Sequence, residues 1–330
     1  MKNMKTLYRI LVIASAAALA FSCAKETDES SDSVQRRILE AYVEKYYPEA
    51  VKKPSGLYII DTVKGTGRTP ADTSFVLVDY IISYLSGDIS GYSGNSVARQ
   101  LGEFSYSGYY DPRIWDLTSS TTGIVEIVTD MQEGGYTKAI IPAVLLDTES
   151  GMEISQGEGS SLIYEIYLRK VIDDIDAYQI EQLEEYAATY FPAITDSTAY
   201  GFYYLKTEAH PEDSLTANEI ISIRYIGRYL NGTVFDTNIA DTARKYRIYT
   251  SGGTYSASTY QRFEDSTEAM EQNSFIAGFN KALHGMTYGE SAVTFFYSDL
   301  GYGDSGSDPI PGYVPLRFDI WVEPEEDVTE

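Results

Sequence analysis

Apolar and polar residues alternate with period two from Ile220 to Tyr229. Ile221, Ile223, Tyr225 and Tyr229 fall on one face and Ser222, Arg224 and Arg228 on the other, which predicts a half-buried strand. Asn231-Gly232 follows and supplies the positive φ values of a tight hairpin, so Thr233 to Asp236 should return as an antiparallel partner. Elsewhere the period lengthens to that of a helix. Leu39, Tyr42, Val43, Tyr46 and Tyr47 recur at helical spacing and stop at Pro48, and 144 residues later Leu183, Tyr186, Ala187, Tyr190 and Phe191 repeat the stripe before Pro192. Asp173, Asp174 and Asp176 stand ahead of the second stripe as cap candidates and first-turn acids.

The correspondence continues along the chain. Gly56 to Ile60 and Gly201 to Leu205 read as strands at an offset of 145, and the hairpin has its counterpart from Val76 to Gly87 at the same offset, with Tyr80 matching Tyr225. Ile124, Val128 and Met131, and again Phe279, Leu283 and Met286 at an offset of 155, give each repeat one short amphipathic helix. Alternating strands, Leu162 to Leu168 and Leu316 to Val322, close the two repeats. A unit of about 150 residues is far longer than a solenoid repeat, so two tandem α+β domains are expected. Each would be an antiparallel sheet wrapped on one short helix and preceded by an amino-terminal helix, with the domains at 33–173 and 174–325.

The residues of the second repeat resemble the FKBP-type peptidyl-prolyl cis-trans isomerase family. Its long hairpin reads as an aromatic, a Gly-containing turn and Phe-Asp, which places Tyr225, Phe235 and Asp236 on family positions. Tyr246 matches the next aromatic. Phe275-Ile276-Ala277-Gly278-Phe279 resembles the Val-Ile-x-Gly-Trp element with Phe279 in place of the pocket-floor Trp, and Leu300-Gly301-Tyr302-Gly303 resembles the Tyr-Ala-Tyr-Gly loop. Ile310-Pro311 and the strand around Phe318 resemble the Ile-Pro-Pro loop and closing strand. The resemblance implies a catalytic pocket of Tyr225, Phe235, Asp236, Ile276, Phe279, Tyr302 and Phe318, with Tyr246, Phe275 and Ile310 against the substrate and no cofactor or metal. It implies proline-containing peptides or unfolded envelope proteins as partners. About 25 residues from Thr250 to Ser274 read as an insertion beside that pocket, serving as a lid, a partner-binding flap or a surface loop. The first repeat has lost the pattern: Ser90-Gly91 stands for Phe-Asp, Ile124 for the floor residue and Leu146 for the loop tyrosine. Its loop from Ser105 to Pro112 is rich in tyrosine and could hold a peptide or cover a core. The same fold also serves as an inactive docking module, so a non-catalytic interaction protein stands beside the isomerase reading.

Charge and the amino terminus set the compartment. Lys2, Lys5 and Arg9 precede an apolar run from Ile10 to Phe21, and Cys23, the one cysteine of the chain, follows it. This resembles a bacterial lipoprotein signal, residues 1–22, whose Cys23 is acylated and tethers the chain to the outer membrane; an ordinary signal peptide is the alternative. Residues 23–32 are a polar, acidic tether, and they resemble the Lys-then-acidic signal that sends lipoproteins of the Bacteroidota to the cell surface. Without residues 1–22 the chain keeps 22 basic against 49 acidic residues, a formal charge of −27, which repels phosphate and argues against nucleic acid as a partner. With no thiol beyond Cys23, disulfides and cysteine catalysis are excluded. His210 and His284 alone offer no His-rich metal cluster, and Gly303 to Asp308 lacks the spacing of an EF-hand. Oligomeric state is not encoded in any motif.

Overall fold

The computed structural model describes residues 31–146, 160–192, 194, 200–208, 219–262 and 273–323. The signal segment 1–22, Cys23, tether residues 24–30, residues 324–325 and His210 lie outside the described residues. The described chain opens with α1 (Ser31–Tyr46), so the last two residues read as tether are already helical. The first repeat continues with β1 (Val51–Lys52), β2 (Tyr58–Val63), β3 (Phe75–Tyr84), β4 (Ile89–Tyr92), α2 (Asn95–Leu101), β5 (Arg113–Asp116), α3 (Thr122–Thr129), β6 (Tyr136–Ile141) and β7 (Leu162–Ile172). The second repeat is α4 (Ile175–Tyr190), β8 (Phe202–Glu208), β9 (Ile220–Tyr229), β10 (Val234–Thr237), α5 (Ala240–Lys245), β11 (Ser258–Gln261), α6 (Ala277–His284), β12 (Ser291–Phe296) and β13 (Leu316–Val322).

Two sheets with one topology result. The first runs β1-β2-β6-β7-β3-β4 with β5 also on β3, and the second β8-β12-β13-β9-β10 with β11 also on β9, all pairs antiparallel. Apart from the short extra edge strand β1, strand order is identical. Register is shared as well. Tyr92 pairs with Ile81 and Gly91 with Ile82, while 145 residues on Thr237 pairs with Ile226 and Asp236 with Gly227. The offset is 145 from β3/β9 through β5/β11 and 155 at α3/α6, so the second repeat gains ten residues between β11 and α6. The predicted 25-residue insertion is corrected accordingly: Thr250 to Ser274 contains β11, which repeat one also has, and residues 263–272 lie outside the described residues. Alternation could not reveal β11, because four residues with one buried side chain, Tyr260, carry too little pattern.

In each repeat a helix crosses the sheet. Phe279, Leu283 and Met286 of α6 and the turn after it sink into a core with Phe202, Phe296 and Leu316, and a fully buried Leu such as Leu283 contributes roughly 1.5–3 kcal/mol. The helix comes this close because Gly278 faces the Phe296 ring, where a Cβ would lie 2.5 Å from ring carbons; Gly123 faces Ile141 in the same way at the matching position. On the opposite face of the second sheet, α4 lays Leu183, Tyr186 and Ala187 against Tyr203, Val293 and Phe295. Its start is capped by Asp174, whose carboxylate accepts the Ala177 N–H at 3.0 Å. Leu39 and Val43 of α1 cover Tyr58, Ile140 and Ile163 of the first sheet in the same manner.

Candidate functional site

The β9–β10 hairpin carries the first wall of the site. Strict alternation would send Phe235 and Asp236 to opposite faces, but the register shifts between Val234 and Asp236, the signature of a β-bulge. The Phe235 ring thereby packs edge-on to Phe318 at 5.7 Å, and the Asp236 carboxylate accepts the Tyr225 hydroxyl at 2.6 Å and the Thr237 N–H at 2.8 Å. Behind them Asn238, buried to 3% exposure, accepts the Tyr225 N–H at 2.9 Å and donates to the Ile223 carbonyl at 2.9 Å, which fixes the strand under the ring of Tyr225. Gly227 makes room: a Cβ there would lie 2.6 Å from the Phe235 ring and 3.0 Å from that of Phe318. The matching residue of repeat one is Ile82, whose side chain rests against the place of Gly91. The bulge survives in repeat one, with the Ile82 side chain where repeat two has Gly227.

Helix α6 and two loops complete the floor and rim. Phe279 meets Phe318 at 4.9 Å and Tyr225 at 5.6 Å, and Phe275 stands 5.2 Å from Phe279. Phe235, Phe279, Phe318 and Ile310 are buried, Tyr225, Phe275 and Ile276 half-buried, and Tyr302 exposed at 37% on the rim. Ile276 is the N-cap of α6 with no side-chain cap, and among the described residues nothing accepts its N–H. The turn Ser298–Leu300 leads to Tyr302 and is held to α4 by Gln179, fully buried, which donates to the Ser298 hydroxyl at 3.0 Å and accepts the Ser298 N–H at 2.8 Å. Burial and then the hydrogen bond to Asp236 push the Tyr225 phenol well above its ordinary range, so it remains a donor; burial followed by the Asp236 charge raises Tyr302 too. Among the described residues there is no group of three or more His, Cys, Asp or Glu placed to hold a metal ion.

Nine of the ten residues marked in the sequence come together here: Tyr225, Phe235, Asp236, Phe275, Ile276, Phe279, Tyr302, Ile310 and Phe318. Tyr246 does not. It ends α5, and its ring lies over the Arg228 guanidinium at 5.1 Å on the outer face of the sheet, where a hydrogen bond from Arg228 lowers its phenol. The strand that follows the hairpin is β11, so the aromatic at that level of the core is Tyr260, fully buried. Ahead of β11 the Tyr255 carbonyl accepts Arg224 at 3.3 Å. Gly227, Asn238 and Gln179 were not marked in the sequence. Gly227 had a signal, a lone glycine interrupting an alternating strand; Asn238 and Gln179 reveal themselves only by their distant partners.

A profile of the family described as FKBP-type peptidyl-prolyl cis-trans isomerase matches residues 212–323. The peptidyl-prolyl cis-trans isomerase FKBP15-1 of Arabidopsis thaliana is 31% identical over 100 residues, 30% of this chain, and the match spans about half, 52%, of that relative. Among solved structures, FkpA from Escherichia coli is similar at 20% identity and a TM-score of 0.34, covering 52% of this chain and 71% of that one. The three FKBP domains of wheat FKBP73 are similar at 12% identity and a TM-score of 0.29, covering 84% and 98%. Residues 212–323, in the second repeat, are thus similar in sequence to the FKBP-type peptidyl-prolyl cis-trans isomerase family.

Proposed function

We propose that the second repeat binds proline-containing peptides and speeds the cis–trans rotation of their X-Pro bonds, in a lipoprotein exposed outside the cytoplasm. The observation that carries this reading is the Tyr225–Asp236 hydrogen bond of 2.6 Å at the edge of a floor of buried rings. Rotation about a prolyl amide is opposed by a barrier of about 18–20 kcal/mol that comes from amide resonance. A twisted amide has a less polar carbonyl than a planar one, so a dry aromatic floor disfavours the planar ground state relative to the transition state. Phe235, Phe279 and Phe318 supply that floor. The Ile276 N–H and the Tyr302 hydroxyl, both without an acceptor among the described residues, would hold two substrate carbonyls and keep the peptide turned over the rings. Asp236 holds Tyr225 at the wall of the hollow.

In a proline-peptide isomerisation assay the full mature chain should accelerate the exchange. Asp236→Ala should reduce kcat/KM by about tenfold or more, as expected on losing a hydrogen bond to a charged group, and Tyr302→Phe by about fivefold. Full activity in both variants would move the chemistry elsewhere, and binding without acceleration in the unaltered chain would leave a docking module in place of an isomerase. The lipoprotein reading is supported by the apolar run before Cys23. Expressed with its leader, the Cys23→Ser chain should appear in the soluble fraction and lack the acyl mass; membrane association unchanged by that substitution would overturn the anchor.

A further inference from the structure

We infer that the first repeat positions the rim of the second repeat's pocket, with Phe75 and Tyr109 as the positioning residues. This rests on the functional reading above for its consequence, while its geometry stands apart from it. The loop from Gly301 to Pro315 carries Tyr302 at one end and Ile310 near its middle. It is folded tightly on itself: Tyr313 N–H donates to the Gly303 carbonyl at 2.8 Å, and Ser307 and Ile310 form an isolated antiparallel bridge. At Tyr313 the backbone has φ of 61°, a left-handed conformation that tyrosine adopts only when its surroundings impose it.

Part of those surroundings comes from the other repeat. Phe75, at the start of β3, meets the Tyr313 ring edge-on at 5.5 Å. Tyr109, in the tyrosine-rich loop between α2 and β5, packs edge-on against Tyr229 at 4.9 Å and joins the core of the second repeat. The Tyr229 hydroxyl lies 3.3 Å from the Pro309 carbonyl and 3.4 Å from the Ser107 carbonyl, so one proton is shared between the rim loop and the first repeat. Asn231 at the hairpin tip donates to Asp111 at 2.8 Å, and Arg247 donates to the Tyr106 hydroxyl at 2.6 Å. A cleft of about 100 Å³, bordered by Leu77, Ile114, Tyr178, Tyr313 and Pro315, runs beside these contacts. The junction is therefore not filled solidly; Phe75 bears on the loop directly through Tyr313, and Tyr109 bears on it through Tyr229 and its hydrogen bond to Pro309. The Tyr-rich loop of repeat one thus covers a core, and the core belongs to its neighbour.

The test uses the full mature chain with Phe75→Ala, Tyr109→Ala, the conservative Tyr109→Phe, and Asp111→Ala as a surface variant that keeps the test open if either core substitution fails to fold. Hydrogen exchange is followed across 303–313 with β12 and β13 as internal references, alongside KM and kcat for a proline peptide. Both ring deletions should quicken exchange in 303–313 and leave β12 and β13 protected. They should also raise KM by about two- to tenfold, the worth of one aromatic pair, with a smaller change in kcat. Tyr109→Phe should restore both readouts, and Asp111→Ala should shift them in the same direction by less. Unchanged exchange in 303–313 in all three alanine variants, or a loss that Tyr109→Phe shares in full, would overturn the proposal. If the unaltered chain neither turns over nor binds the peptide, the isomerase reading fails and the exchange result alone decides the positioning role.

Discussion

Asp319→Ala is expected to lower the stability of the second repeat by about 3–5 kcal/mol, because it leaves two guanidinium groups facing each other with no counter-charge. Asp319 is 8% exposed on β13. One carboxylate oxygen accepts Arg228 Nε at 2.9 Å and the other accepts Arg317 at 2.5 and 3.1 Å. Arg317 goes on to donate to the Tyr186 hydroxyl at 2.9 Å, and Arg228 lies over Tyr246, so helix α4 and the end of α5 are tied to the sheet through this one carboxylate. Side-chain exposures of 12% for Asp319, 14% for Arg228 and 20% for Arg317 put the group largely beyond the screening that makes surface ion pairs weak. Urea unfolding followed by tyrosine fluorescence checks the figure. A shift worth under 1 kcal/mol would mean that water reaches the two arginines readily. An Arg228→Met, Asp319→Leu, Arg317→Met triple variant should be much less destabilised than the single alanine, since it removes the charges together.

Phe318→Ala should cost a similar amount, about 3–5 kcal/mol, and should also abolish measurable peptide binding. The ring is 5% exposed and meets Phe279 at 4.9 Å, Phe235 at 5.7 Å, Phe296 at 5.8 Å and Tyr225 at 6.3 Å. Four aromatic rings converge on it, so its loss opens a void under the site and frees the neighbouring rings to tilt. Phe318→Leu separates the two effects. Volume is largely kept, so stability should fall by less than about 1.5 kcal/mol, whereas the flat wall offered to a prolyl ring is gone. Equal losses of stability and affinity in both variants, measured by chemical denaturation and peptide titration, would show that Phe318 acts only as packing.

Much of this was legible before any coordinates. The strand Ile220–Tyr229, both helical stripes, the short floor helix and the near-constant spacing between repeats follow from periodicities that backbone geometry enforces, and the structure has them. The Phe235-Asp236 step was found from motif order, although the bulge that makes it work breaks the alternation used elsewhere. Tyr246 was misplaced because β11 is too short for its alternation to outweigh the nearest aromatic in sequence. The contacts between repeats could not be read at all. Tyr109 and Tyr229 are 120 residues apart, and nothing in the local pattern of either says that their rings meet. The same holds for Asn238 and Gln179, whose worth lies in hydrogen-bond partners rather than in spacing.

The shared register has one more consequence. Since 145 added to a residue number leads from any of the strands β3, β4 and β5 to its counterpart with the same pairing partners, the molecule contains its own control experiment. Within those strands, whatever one half does and the other does not is written in paired side chains, such as Ile82 against Gly227 or Gly91 against Asp236, since the path of the main chain there is shared. Exchanging those pairs between halves is then a like-for-like transplant, with the untouched half of the same polypeptide as the reference.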